Sequence, residues 1–173
     1  YDFNATLKEG DIDVDVTGDY FVQNKDANLN LSIQLNTFKM KALNTLSLGE
    51  IKETSGSFSG NFTVDGKTSN PNYNGNLNFK DATFNITKLN TKFTLKDEKL
   101  RVYNNGFYLD NFLVLDAKKN TLKLSGKILT KSFINPQFDV KLSAKNFRVL
   151  NATKEDNPSL YGIASFNASE NLT

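Results

Sequence analysis

Asn76 to Ile86, NLNFKDATFNI, carries apolar residues in two sets that disagree about which face of a strand they share. Leu77 and Phe79 sit two apart, as neighbours on one face of a strand must. Ala82, Phe84 and Ile86 have the opposite parity. Side chains alternate faces with a period of two, so a continuous flat strand would send the two sets to opposite sides and expose half of them. If the polar pair Lys80 and Asp81 is a bulge, bend or tight turn, the register resets and both sets return to the same side.

The same slip recurs along the chain. Leu31, Ile33 and Leu35 change parity across Asn36 and Thr37 to Phe38 and Met40. Phe107 and Leu109 change across Asp110 and Asn111 to Phe112 and Val114, and Phe138, Val140, Leu142 and Ala144 across Lys145 and Asn146 to Phe147 and Val149. Asn or Asp stands at each break, where irregular backbone is best tolerated. The repetition makes sense if the sheet bends repeatedly in one direction.

Around these breaks the period is two throughout. DIDVDV (Asp11 to Val16), NLNLSIQL (Asn28 to Leu35), SFSGNFTV (Ser57 to Val64), TKFTL (Thr91 to Leu95), KLRV (Lys99 to Val102), TLKLSGKI (Thr121 to Ile128) and QFDVKLSA (Gln137 to Ala144) read as strands. Turn signals separate them: Asn24 to Asp26, Asp65–Gly66, Asn70 to Asn72, Asp97–Glu98, Asn104 to Gly106, Lys118 to Asn120 and Asn135–Pro136. Phe38 to Gly49 alone spaces Met40, Leu43 and Leu46 three apart and ends in glycine, which predicts a helix of two or three turns near 38–48 that caps an end of the sheet.

Each strand is therefore wet on one face, with Asn, Lys, Asp, Ser and Thr, and dry on the other. A sandwich, a barrel or a long sheet folded lengthwise into a trough would each bury the dry faces. The alternation assigns Phe62, Val64, Leu77, Phe79, Phe84, Ile86, Phe93, Leu95, Leu100, Val102, Phe112, Val114, Leu122, Leu124, Phe138, Val140 and Leu142 to one shared interior.

Composition narrows the chemistry. With 21 Lys and Arg against 19 Asp and Glu, the net charge of +2 gives no reason to expect nucleic acid as a partner. Cysteine and histidine are both absent, which removes disulfides, thiolate metal sites, the commonest general base and every Ser/His or Cys/His nucleophile pair. Asp11, Asp13 and Asp15 share a strand face, but an EF-hand loop needs glycine and glutamate where Val16 and Val22 stand, so a solvated strand face is the better reading. Gly56, Gly60 and Gly66 match neither a dinucleotide fingerprint nor a phosphate loop. The phenylalanines have no basic stripe beside them and read as an apolar lining instead of a base-stacking platform. Enzymes without histidine exist, but most need two convergent carboxylates, a reactive lysine or a bound cofactor; the expectation here is a protein that is not an enzyme and carries no cofactor. The 173 residues are one domain's length, start at Tyr1, and contain neither a secretory leader nor a run of about 18 apolar residues, so they read as a fragment of a longer protein.

Three stretches carry a family resemblance. They are SGSFSGNFTVDGKTSNPNYNGNLNFKDATFNI, LRVYNNGFYLDNFLVLDAKKNTLKLSGKI and FDVKLSAKNFRVLNATKEDNPSLYGIA. A G-x-x-x-G strand pair feeds a polar turn with proline and is followed by K-D-A-x-F. Then come D-N-F, L-x-G-K-I, K-N-F-x-V-L and L-Y-G-x-A, in that order. The succession, from about Leu29 to Ala168, resembles the C-terminal region of TamB-family translocation and assembly proteins, within the AsmA-like envelope-bridging group.

The resemblance implies an all-β fold: an elongated curved sheet, folded like a taco, with an apolar concave interior and one short helix. It implies no catalytic residue. It places the full-length protein in the periplasm of a Gram-negative envelope, tethered to the inner membrane and reaching an outer-membrane Omp85-type partner through regions outside this chain. It also implies phospholipid acyl chains as the ligand. The physics agrees: at about 0.8 kcal/mol per methylene, an exposed chain of about 16 carbons faces a barrier near 13 kcal/mol, and an apolar trough removes most of it. Roughly a dozen strands at about 4.8 Å would give a groove near 58 Å long. Two other readings use the same pattern differently. A scaffold for outer-membrane protein assembly would work through an open sheet edge, and an all-β binding module would close its core and present a polar surface site.

Overall fold

The computed structural model describes residues 1–23, 26–130 and 137–172. The described strands are β1 (Asp2–Glu9), β2 (Ile12–Gln23), β3 (Asp26–Lys39), β4 (Ile51–Lys67), β5 (Asn72–Ile86), β6 (Thr91–Leu95), β7 (Lys99–Tyr103), β8 (Gly106–Asp116), β9 (Thr121–Leu129), β10 (Gln137–Ala152) and β11 (Gly162–Leu172). One helix, α1 (Ala42–Leu46), interrupts them. All eleven strands belong to a single antiparallel sheet in which sequence neighbours are spatial neighbours. The exception lies at its centre, where β6 and β7 occupy one position end to end: β6 pairs Ala82–Ile86 of β5 and β7 pairs Asn74–Asn78. Of the expected turns, Asn24 and Lys25, and Asn135 with Pro136, lie outside the described residues, while Asp26 already belongs to β3.

The parity slips are bulges. Leu109 stands opposite Gly126 and Phe112 opposite Leu124, so three steps along β8 match two along β9. The same mismatch separates Ala144 from Phe147 on β10 and Leu35 from Phe38 on β3, and it places an extra residue near Asp81 on β5. Asp81, Asn111 and Asn146 sit at φ 45°, 50° and 50°, a left-handed conformation that Asn and Asp adopt more readily than other residues with a side chain. A bulge breaks the ladder locally, and neighbouring side chains restore the bonds. Ser125 Oγ accepts the Asn111 N–H at 3.2 Å, and Asn167 Oδ1 accepts the Asn146 N–H at 2.7 Å. Across from Asp81, Gly56 at φ 80° comes so close that a Cβ there would stand 2.1 Å from the Asp81 carbonyl oxygen, so only glycine fits.

These irregularities form a crease. It runs from Asn36 on β3 through Gly56 on β4, Asp81 on β5 and the 96–98 link between β6 and β7 to Asn111 on β8. At the link the Phe79 and Asp81 N–H groups donate to the carbonyls of Glu98 and Lys96. Aromatic files flank it: Phe38, Phe58, Phe79 and Phe112 succeed one another at centroid distances of 4.7, 5.6 and 6.3 Å. A second file, Phe84, Phe93, Phe147 and Phe166, spaces its rings at 5.8, 5.7 and 5.9 Å. Phe79 with Ala82 and Phe84 on β5, and Leu109 with Phe112 on β8, pack in one core cluster, so the apolar sets on either side of each bulge share one side.

The helix is shorter than its spacing predicts. Phe38 and Lys39 still pair with Phe58 and Ser57, and the Met40 N–H donates to the Gly56 carbonyl, so strand pairing claims the first residues of the expected helix. Met40 and Leu43 reach the core, but Leu46 is 63% exposed. On β10 a second irregularity between Arg148 and Leu150 makes Phe147, Leu150 and Ala152 the buried set, and Val149 stays half-buried.

Candidate functional site

Strand pairing turns the alternation into continuous rows. One row runs Leu7, Val14, Leu35, Gly60, Leu77, Leu100, Leu109, Gly126 and Val140 from β1 to β10. The next runs Ala5, Val16, Ile33, Phe62, Gly75, Val102, Phe107, Ile128 and Phe138. The Phe62 ring lies over Gly75, where a Cβ would collide with it at 2.3 Å. Neither row contains a charged or hydrogen-bonding side chain.

Beyond the crease the face continues. Phe112, Leu124 and Leu142 stand in one register, with Val114 and Leu122 in the next. Ala82 with Leu95 and Phe84 with Phe93 carry it across β5 and β6, and Ile86 closes that end. Val64 extends the side toward the β4–β5 turn, opposite Tyr73.

The seventeen residues assigned to one interior differ in how dry they are. Leu95, Phe112 and Val140 are buried with Met40, Ala82 and Leu109, and Phe79, Phe84, Leu100, Val114 and Leu124 pack against them. Phe93 is buried in the second aromatic file. Phe62, Val64, Leu77, Ile86, Val102, Leu122 and Leu142 are half-buried, and Phe138 is 41% exposed. The interior is filled by its own side chains at the crease and opens away from it.

Past Asn146, β10 runs beyond the end of β9 and leans on β6. Phe147, 1% exposed, stacks on Phe93, and the Asn151 N–H donates to the Leu89 carbonyl. Asp116 ties this end together: its carboxylate accepts the N–H groups of Lys118, Asn120 and Arg148 and the Asn120 amide at 2.8 to 2.9 Å. Burial, at 3% exposure, raises its pKa, but the hydrogen bonds from Asn120, Arg148 and Lys118 outweigh it and hold the carboxyl below its ordinary value. Nothing in the sequence pattern marks Asp116 as buried, although D-x-x-x-N is a spacing that can fold back on its own turn.

The opposite face is polar. Asn36 Nδ2 bridges Asp13 and Asp15 at 3.1 and 2.7 Å, Lys8 pairs Asp13, and Lys41 pairs Asp11 at 2.9 Å. The three aspartates are thus spent on their neighbours along the strands. Asn85 departs from the alternation, since it points away from Phe84 and Ile86 yet is 4% exposed beneath the loops at 87–90 and 153–160.

A single curved antiparallel sheet, apolar along one face and polar along the other, defines an all-β protein organised around an extended surface. Residues 110–173 match the family described as the TamB C-terminal domain, so this part of the chain is similar to that domain. The matched segment begins at the β8 bulge and includes β9, β10 and β11. The part of the resemblance from Leu29 to Leu109 falls before it. No curated protein and no solved structure matches the chain.

Proposed function

We propose that the apolar face shelters phospholipid acyl chains moving between the inner and outer membranes, with head groups left in water. The observation that carries this reading is the continuity of the two rows. Nine strands contribute to each without a polar interruption, and both reach the edge strand β1, where Leu7 is 51% exposed. An ordinary closed core would end before its edge. An acyl chain laid along half-buried Phe62, Val64 and Val102 would hide methylenes at about 0.8 kcal/mol each and cover surface that the fold leaves wet. The periplasmic setting, inner-membrane tether and Omp85-type partner implied by the family resemblance fit such a role and belong to the same proposal.

A scaffold for outer-membrane protein assembly is the second reading. Every residue of β1 is exposed, and among the described residues β1 pairs only with β2, so a backbone edge is free to take another strand. Organic extraction of the purified protein followed by lipid mass spectrometry separates the two. Phospholipid near one equivalent supports the conduit, and its loss in Val102→Asp with an unchanged circular dichroism spectrum places it on the open row. Lipid-free protein, or lipid retained by that variant, favours the scaffold.

A further inference from the structure

On the polar side of the sheet, an open cavity of about 320 Å³ lies where β5, β6, the turn after β8 and the far end of β10 meet. Glu53, Asn85, Asn90, Lys92, Lys118 and Arg148 line it. Its polar atoms are unevenly matched. Asn85 donates to Glu53 Oε2 at 3.1 Å and to Asn90 Oδ1 at 3.4 Å, which fixes its amide with Oδ1 as the other end. That Oδ1 is buried and accepts nothing. Arg148 Nε is buried and has no acceptor. Among the described residues, Lys92, Lys118 and Arg148 make no ion pair.

Buried donors and acceptors in folded proteins are almost always satisfied, so an orphan donor on one lining residue and an orphan acceptor on another point to a ligand that offers both an acceptor and a donor. Among the lining side chains three cations face one carboxylate, Glu53, while the nearby Asp116 and Asp156 are held by backbone N–H groups and by Asn120, Asn90 and Thr153, so the excess of positive charge in the lining calls for an anion, and a guanidinium with two ammoniums suits phosphate oxygens. Asn85 Oδ1 and Glu53 call for a hydrogen-bond donor on the same molecule. We infer that this cavity binds a phosphate ester carrying an ammonium group, its phosphate on Arg148, Lys92 and Lys118 and its N–H donors on Asn85 and Glu53. The inference does not rest on the conduit reading, because the cavity is on the face opposite the apolar rows. The same chemistry exists in a free ester and in a phosphatidylethanolamine head group. A quaternary ammonium has no N–H to give Asn85 and should be refused.

The test uses the ¹⁵N-labelled protein and follows the Arg148 Nε–H and Asn85 amide resonances. O-phosphoethanolamine should shift both saturably, and phosphocholine should bind about tenfold or more weakly for lack of the donor. Arg148→Gln should cost about tenfold or more and Lys118→Gln about two- to fivefold, the latter on an exposed turn where folding is not at stake. Vesicles containing phosphatidylethanolamine that broaden the Arg148 signal, when vesicles of phosphatidylcholine alone do not, identify the lipid as the source. Saturation by the free ester with no vesicle effect identifies the soluble ester. Unmoved resonances at millimolar O-phosphoethanolamine, equal binding of phosphocholine, or wild-type affinity in Lys118→Gln would each overturn the inference.

Discussion

Leu7 and Leu109 stand on the same row of the same face, yet one is 51% exposed and the other 8%. At Leu7 the strand itself is plain: β1 carries no bulge, the nearest one lying two strands away at Asn36 and Thr37 of β3, and all eight residues of β1 are exposed. Around Leu109 lie the Asn111 bulge, the split between β6 and β7, and the Asp81 bulge with Gly56 against it. The apolar alternation is the same in both places. What differs is curvature, because bulges bend and twist a strand, and a crease built from several of them brings one face against itself. An apolar pattern makes a dry face available, and the irregular residues decide where it closes.

The comparison breaks most visibly if a bulge is removed. Deleting Asn111 turns Phe112 and Val114 to the outer face, and the loss of so much burial, several kcal/mol, should leave the protein aggregated or without a cooperative melt. Unchanged solubility and melting temperature in this variant would show that the crease does not set the register. A direct contrast of the two leucines comes next. Leu109→Ala should cost about 2–4 kcal/mol, and Leu7→Ala less than about 1 kcal/mol, read as shifts in the urea unfolding midpoint. Equal shifts would remove the distinction between the closed and the open half.

Asp116 sharpens the comparison from the closed side, because it fastens β10 to the turn that ends β8. Its folded pKa lies below the ordinary 3.8, so the carboxylate's contribution is complete above that value and is lost as pH falls through the lower, folded one. Asp116→Asn keeps the shape but faces buried N–H groups with an amide, which should cost about 1–3 kcal/mol at neutral pH. The same change should flatten the fall in melting temperature as pH drops below 3.8. A wild-type acid limb in that variant would assign the acid sensitivity to other carboxylates. The smallest effect belongs to the bulge conformation itself. At φ 50°, Asn111→Gly should be neutral within about 0.5 kcal/mol and Asn111→Ala should cost about 1 kcal/mol, a difference that thermal denaturation resolves.

Most strands, the polar and apolar faces and the four bulges at the parity changes were legible because a period of two is a local signal and a change of parity is visible in a few residues, whereas the irregularities between Lys52 and Ser55 and between Arg148 and Leu150 carry no such mark. The length of α1 was not, since Phe38 and Lys39 are held in β3 by partners on β4 some twenty residues away. β1 and β11 escaped the pattern for a related reason. Phe3, Ala5 and Leu7, and Ala164, Phe166 and Ala168, alternate only briefly and with small residues, and their strand character comes from the neighbour each pairs with. The burial of Asn85 and Asp116 depends on loops that fold over them from 153–160 and from β10, contacts that no periodicity encodes.

The central claim is that the half-open rows, and neither the packed crease nor the polar face, hold acyl chains. Photo-crosslinking amino acids placed one at a time at Phe62, Leu109 and Asn61 in the full-length protein test it in living cells, with crosslinked phospholipid read by mass spectrometry. Phospholipid captured at Phe62, with little at buried Leu109 and none at outward-facing Asn61, is the predicted result. Capture at Asn61 equal to that at Phe62, or no phospholipid at Phe62, would contradict the account.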